Sequence, residues 1–500
     1  MSRTFPQFHA RRVALLRVTA AARCTLEKLV FQRHPHREWG AFFRFGYRRT
    51  GWGLALTYVE PLPPQPGELY RSSPIVSFNP DYISRMTDEL DGNRLCVGVI
   101  HSHPQAWGVS PSPSDDDMDT YYPRLFQPYA KGRPYLSLIV NRDEHGNFEF
   151  SGRAFDNGVW MPVTSFFTPG RTLERHRSAL LPSAPSKPKA TSEDALSRWE
   201  SLIGPSVRER FAGAVVGVVG CSGTGSPAVE ALARAQVGEF VLVDSQRVSP
   251  SNLERLHGSR LADVCAETPP YKVEILARLI REINPDARIT ALVGNVLDDI
   301  VLDELLRCDF VLGCTDTLHG RAALGDLAVF YFVPTIDVGI LPTGHNGKVT
   351  HQYVDIMRLA TTDPCPYCRG RILPFALNIE LMAEEEKQQR RDDAAAAEVR
   401  GDDGTNYWPG DAPQLPSVGY LTTAAGALAA GYALNWLLGT AAMPHSRIQF
   451  DIGAPEFAFA ADDTKRRPDC ACARFQGHGD LAERSVTLPN HFPRAIRLEV

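Results

Sequence analysis

The chain is 500 residues long, 43% hydrophobic and 22% charged, with a formal net charge of −5. That length exceeds what one hydrophobic core serves and implies two or three domains. The mild acidity speaks against a nucleic-acid binder, which carries a basic face. Arginines interrupt residues 1–24 before any apolar run is long enough for a secretory signal. The lack of acidic residues there keeps a transit peptide as an alternative, but a first structural element of the fold is the preferred reading. The ten cysteines include one CxxC and one CxC. In a chain without a signal this usage points to metal or redox chemistry in the cytoplasm rather than to disulfides.

Short strand-like runs come first in chain order. AFFRFGYRR (41–49), GWGLALTYVE (51–60), RLCVGVI (94–100), YLSLIVNRD (135–143) and FEFSGRAF (148–155) alternate with loops, which predicts a compact mixed α/β domain over residues 1–170. SAPSKPKATS (183–192) has no hydrophobic period and reads as the heart of a linker, 171–195. The rhythm then becomes strand and helix by turns: AVVGVVG (214–220), SPAVEALARAQ (226–236), EFVLVD (239–244), YKVEILARLIREINP (271–285), RITALVG (288–294) and DFVLGCTD (309–316). Apolar strands separated by helices of this length imply parallel βαβ units, placed at 196–460. The charged run 384–403 reads as a solvated helix or insertion. The run 419–439 is rich in small residues and reads as a packed helix rather than a membrane span. Cys24, Cys96 and Cys308 read as core residues.

HSHPQAWGVSPSPSD (101–115) follows the apolar run 95–100. On an extended strand end His101 and His103 point the same way, so a rigid strand delivers two imidazoles to one spot. A catalytic zinc needs a third ligand and an open position for water. Asp115 can supply the ligand, and Ser112 can donate to an oxyanion. The general base is assigned to Glu38 in HREWGAFFRFG, with Glu60 as the weaker alternative. GVIHSHP and SPSD with an upstream glutamate resemble the JAB/MPN (JAMM) zinc metalloproteases, over roughly residues 10–165. The resemblance implies cleavage of peptide or isopeptide bonds after ubiquitin-like tails. The spacing from His103 to Ser112 is one residue longer than the family pattern, so Ser114 with Asp117 competes with Ser112 and Asp115.

VVGCSGTGSPAVEAL (218–232) leaves a strand and opens a helix, and Gly220, Gly223 and Gly225 let the backbone approach a nucleotide phosphate. Asp244 ends the next strand, where a carboxylate can bind ribose hydroxyls. SNLERL (251–256), Lys272 and GCTDT with Asp316 follow. This succession resembles the ubiquitin-activating/ThiF/MoeB adenylating enzymes and counts against a dehydrogenase. The resemblance implies a Rossmann-like domain with a mainly parallel sheet that uses ATP to adenylate the C-terminal carboxylate of a ubiquitin-like protein. It places ribose on Asp244, phosphates on Asn252, Arg255 and Lys272, and Mg²⁺ on Asp316. Arg198 matches the arginine that reaches the partner subunit's site, which implies a homodimer. Gln246 stands where a second aspartate is common. Ser417 stands where thioester-forming members carry a cysteine, and Cys265 is the remaining candidate nucleophile.

Cys365 and Cys368 in PCPYCRG, with Cys470 and Cys472 in the C-terminal segment 461–500, give four thiolates for a closed structural zinc site, with His478 as the alternative to one sulfur. Together the two halves predict a bifunctional enzyme of ubiquitin-like protein processing, with an antiviral conjugation role implied by resemblance only. Its partners would be the tail protein and either a conjugating enzyme or a sulfur donor, with no nucleic acid and no membrane. The rivals are trimming and activation of a sulfur-carrier protein, and a non-enzymatic scaffold.

Overall fold

The computed structural model describes residues 12–70, 76–170, 172–181, 195–406, 408, 416–440, 443, 445–453, 458–462 and 464–500. The first sheet has eight strands, β1 (Val13–Arg17), β2 (Trp39–Thr50), β3 (Gly53–Leu62), β4 (Cys96–Ser102), β5 (Tyr135–Arg142), β6 (Phe148–Asp156), β7 (Val159–Pro169) and β8 (Leu173–Arg177). They run in the order β1-β3-β2-β4-β5-β6-β7-β8, and β1 also pairs with β7. Seven strands therefore close into a barrel, and β8 hangs on its outside.

Alternation along β2 sorts the side chains. Phe43 and Phe45 join one core with Leu56, Ile100 and Leu138, while Phe42 joins a second with Tyr82, Tyr122 and Phe126. That second core seats the helices Pro80–Gly92 and Pro113–Ala130. The β6–β7 turn is Asn157-Gly158, with φ of 49° and 81°, the left-handed pair that a two-residue hairpin requires.

The second sheet has nine strands in the order β16-β15-β14-β13-β12-β9-β10-β11-β17. They are β9 (Val215–Val219), β10 (Glu239–Val243), β11 (Arg288–Val293), β12 (Phe310–Gly313), β13 (Thr335–His345), β14 (Lys348–Leu359), β15 (Arg447–Asp451), β16 (Ala458–Ala461) and β17 (Ile496–Leu498). The five central strands are parallel. The chain leaves β9 toward β10 on one side and returns to β12 on the other, which opens a crevice at their carboxyl ends. Helix Gly419–Leu438 is apolar and long enough to cross a membrane, but more than half of it is buried. Gly426 meets Thr224 and Pro227 of the glycine loop and the helix that follows it, so closely that a Cβ there would lie 2.3 Å from the Thr224 carbonyl.

The two sheets are docked by buried polar groups. Arg17 is 1% exposed and donates through Nη2 to the carbonyls of Leu306 (2.9 Å) and Cys308 (2.8 Å). Arg48 pairs with Asp299, Asp303 and Asp480, and Trp52 Nε1 donates to Asp303 O at 2.8 Å. Residues 477–480 lie along β2, where Tyr47 bridges Gly479. A Cβ on Gly46 would stand 2.1 Å from the Gly477 carbonyl, so only glycine admits that approach.

Three expectations need correction. The interval 171–195 is not all linker, because β8 pairs with β7 across 173–177; the run 183–192 lies outside the described residues. The segment 461–500 does more than supply two cysteines, since β17 also extends the parallel sheet along β11. Cys24 is exposed, as it falls on the solvent face of helix Ala20–Val30, opposite the buried Leu26 and Val30. The charged run holds an exposed helix, Glu384–Val399, as expected.

Arg17→Ala should leave two interface carbonyls without their donor and cost about 2–4 kcal/mol. The midpoint of urea unfolding measures it, and an unchanged midpoint would show that docking does not depend on this guanidinium.

Candidate active sites

The end of β4 and the loop beyond it bring His101 and His103 together. β4 lies between β2 and β5, and Gly40 pairs with His101 and Trp39 with Ser102. This register sets Glu38, immediately before β2, against the histidines. Asp115 arrives from the first turn of helix Pro113–Ala130. Ser112 caps that helix, its hydroxyl accepting from Asp115 N (3.3 Å) while its own N–H donates to Asp115 Oδ2 (2.6 Å). The reciprocal pair aims the carboxylate inward, with Oδ1 at 3.0 Å from His101 Nε2 and Oδ2 at 3.4 Å from His103 Nε2. Glu38 Oε1 lies 3.9 Å from His103 Nε2, and its other oxygen accepts from Val76 N at 2.8 Å.

Glu38, His101, His103 and Asp115 are 6%, 1%, 1% and 6% exposed. Burial pushes the Glu38 carboxyl above its ordinary value, against the pull of His101 and His103. His103 Nδ1 faces Gly108 O at 3.1 Å, so Nε2 carries the lone pair. Among the described residues neither Nε2 makes a hydrogen bond, despite the close carboxylate. Buried ring nitrogens converging with carboxylate oxygens, with His101 Nδ1 also unpartnered, fit a zinc ion. The ligand atoms of Glu38, His101 and His103 all lie within 4.8 Å of one another.

The competing register does not reach this point, for Ser114 and Asp117 are exposed. Glu60 sits on β3 in an ion pair with Arg44. Asp115 lies in the first turn of a helix, and Glu38 immediately precedes its strand. The sequence reading also missed Asp119, one turn after Asp115. It is 1% exposed, paired with Arg153 at 2.6 Å, and pushed by burial up to about 6. The D-x-x-x-D spacing was the available signal.

The second cluster sits at the carboxyl ends of β9, β10 and β12. Gly220 has φ of 95°, and a Cβ there would lie 2.4 Å from Cys314 O. A Cβ on Gly225 would lie 2.0 Å from Gly220 O, while Gly223 faces Arg255 and Thr422. Asp244, just after β10, accepts from Cys221 N and Gln246 N, both at 2.8 Å. Burial raises its carboxyl although Lys272 opposes the shift, and Asp316 adds to it. Lys272 opens helix Lys272–Ile283, and its buried Nζ donates to Gln246 Oε1 at 2.5 Å. Gln246 thus meets the lysine as a neutral acceptor. Asn252 is buried and accepts from Ser249 N at 2.9 Å, and Arg255 Nη1 donates to Ser417 O at 3.1 Å. Asp316 is exposed beyond β12. Arg198 stands exposed on helix Ser197–Ile203, apart from these contacts, and Cys265 is exposed at the end of the short helix Leu261–Val264.

The four cysteines of the third cluster converge. Cys365 Sγ lies 3.6 Å from Cys470 Sγ, Cys368 Sγ lies 3.5 Å from Cys472 Sγ, and all four fall within 4.8 Å of one another. A tetrahedron of ~2.3 Å zinc–sulfur bonds sets sulfurs about 3.8 Å apart, so the set fits zinc. His478 is turned away, its Nδ1 facing Gln476 O.

Residues 196–472 match the ThiF family, more than half of the chain, and the chain belongs to that family. It is 33% identical over 176 residues to the adenylyltransferase and sulfurtransferase MOCS3 of Sus scrofa, covering 34% of this chain and 37% of that protein. It is 31% identical over 163 residues to the tRNA threonylcarbamoyladenosine dehydratase of Escherichia coli (strain K12), covering 32% and 58%. It is 33% identical over 151 residues to the SAMP-activating enzyme E1 of Haloferax volcanii, covering 29% and 54%. The chain thus spans between 37% and 58% of these relatives' lengths. Among solved structures, E. coli MccB with ATP is 16% identical with a TM-score of 0.40, over 57% of this chain and 76% of that one. The family match begins at residue 196 and leaves the first barrel outside it.

The two zinc-fitting clusters should separate on mutation. His101→Ala should lose one equivalent of bound zinc and keep the other, and Cys470→Ser should do the reverse with a clear fall in melting temperature. Elemental analysis reads both. Unchanged zinc content in either variant would remove that cluster as a metal site.

Proposed function

We propose that this chain is a bifunctional enzyme acting on the C-terminal tail of a ubiquitin-like protein. The family domain would adenylate the tail with ATP, and the barrel domain would hydrolyse a peptide or isopeptide bond beyond it. The observation that carries the first half is the gathering of Asp244, Lys272, Arg255 and Asp316 at the crevice of a ThiF-family sheet. The second half rests on the four buried groups Glu38, His101, His103 and Asp115.

At the crevice the tail carboxylate attacks the α-phosphorus, forming one P–O bond and expelling pyrophosphate as the α–β bridge breaks. Lys272 and Arg255 neutralise the developing charge, Asn252 positions the phosphates, and Asp244 takes the ribose hydroxyls. Asp316 would hold Mg²⁺, which supplies further charge neutralisation. The three glycines keep the loop close enough for its N–H groups to face the phosphates.

In the barrel, His101, His103 and Asp115 would hold zinc, which supplies Lewis acidity and an acidified water. Glu38, made more basic than an ordinary carboxylate by burial, takes the proton of the attacking water and returns it to the leaving amine. The Ser112 hydroxyl donates to the developing oxyanion. Arg198 is assigned to the ATP site of a second copy, so a homodimer is part of the reading.

One observation favours a sulfur-transfer outcome over a thioester. The segment facing Arg255 presents the Ser417 carbonyl, and residues 414–426 hold no cysteine. The adenylate would then pass to a sulfur donor or straight to a second enzyme. Cys265 is exposed and is the alternative acceptor.

Asp316→Ala should lower ATP–pyrophosphate exchange with a tail protein by about 100-fold or more and leave hydrolysis untouched; retained exchange would move the metal site elsewhere. Glu38→Gln should lower tail cleavage by at least about 100-fold while zinc stays bound. Unchanged cleavage would sink the assignment of the base. Intact mass spectrometry with and without reductant separates the outcomes downstream, since a reductant-labile adduct on Cys265 would replace the sulfur-transfer reading with thioester formation.

A further inference from the structure

The turn that follows His103 is held by a residue far from it in sequence. Asn141 is the next-to-last residue of β5 and is 1% exposed. Its Nδ2 donates to Gly108 O at 3.0 Å and to Pro104 O at 3.2 Å, with Gln105 O at 3.4 Å. Its Oδ1 accepts from Arg142 N at 2.8 Å and meets His34 Nε2 at 3.0 Å. Gly108 has φ of 61°, and the same Gly108 carbonyl receives His103 Nδ1 at 3.1 Å.

We propose that Asn141 is a positioning residue of the barrel-domain site. It anchors the Gly108 carbonyl that selects the Nδ1–H tautomer of His103, and so keeps the Nε2 lone pair aimed at His101 and Asp115. This rests on the zinc reading of that cluster. The physical case is one of donors and acceptors. A ligating imidazole is oriented by what its second nitrogen bonds, and a carbonyl on a short turn can serve only while the turn is held. The turn's own backbone bonds are Trp107 N to Pro104 O at 2.9 Å and Gly108 N to Gln105 O at 3.4 Å. The second of these is long, and neither engages the Gly108 carbonyl. Among the contacts described, only Asn141 Nδ2 and His103 Nδ1 meet that oxygen from side chains. His34 holds the amide from behind and completes the chain His34–Asn141–Gly108–His103.

The test uses the full-length protein with two variants, Asn141→Leu, which keeps the γ-branched shape and removes every bond, and Asn141→Ser, which is small enough to be absorbed. Two readouts are taken: ¹⁵N shifts of the His103 ring in chelator-treated protein, and zinc affinity of the barrel site by chelator competition, with the four-cysteine zinc as internal control. The expected result is a ring no longer confined to the Nδ1–H tautomer, and zinc affinity lowered about 10–100-fold with the cysteine-bound zinc retained. A tautomer and an affinity unchanged in both variants would overturn the assignment. Loss of both zincs together would also overturn it, by showing that Asn141 supports the fold as a whole. If wild-type protein holds zinc only on its cysteines, the hydrolase reading fails, and the His103 tautomer still decides the role of Asn141.

Discussion

The arrangement of the whole molecule depends on burying one guanidinium, that of Arg17, between two sheets. A buried arginine costs several kcal/mol in desolvation unless its N–H groups are taken up; here two carbonyls just before β12 take those of Nη2, while Nε has no hydrogen-bond partner among the described residues. Burial holds its pKa down to about 10, still well above neutrality. Arg48 repeats the device at the rim with three aspartates. Such contacts are directional, so they set one orientation of barrel against sheet where an apolar patch would tolerate several.

That orientation separates the two candidate sites. β2 carries Glu38 before its first residue and Arg48 near its last, so the barrel site lies about 30 Å along the strand from the docking surface. In the second sheet the docking residues Leu306, Cys308 and Asp309 precede β12, whereas the glycine loop, Asp244 and Asp316 follow the carboxyl ends of the same parallel strands. The two clusters therefore face away from their shared interface. About nine extended residues would be needed to span the β2 distance alone.

Both sites use one local device, an acceptor or cation placed at the start of a helix by a cap. Asp115 is aimed by reciprocal bonds with Ser112, and Lys272 begins a helix whose Glu274 side chain accepts from Tyr271 N. In each case the group emerges beside a strand end, so a rigid sheet and a rigid helix converge on one point. The buried Asn141 extends the same logic to the single 3₁₀ turn Gln105–Trp107, its side chain holding the carbonyls of Pro104 and Gly108 on either side of it.

The sequence by itself determined the parts whose causes are local. Strand alternation and apolar runs marked the two domain types, the i, i+2 spacing on an apolar strand paired His101 with His103, and the glycine turn with Asp244 marked the crevice at the carboxyl ends of the parallel strands. Asn157-Gly158 and Asn346-Gly347 carried their hairpin turns in their own conformational preference. Only the tertiary structure decided between the alternatives. Glu38 prevails over Glu60 because the β2–β4 register sets Trp39 opposite Ser102, and Asp115 over Asp117 because the helix starts at Pro113. The three residues of β17 and the run 477–480 show no period of their own, since their partners lie about 200 and 430 positions away and such pairings leave no trace in a short segment. For the same reason Asn141 reads in sequence as the polar end of a strand, and becomes a support for His103 only when β5 lies beside the turn it holds.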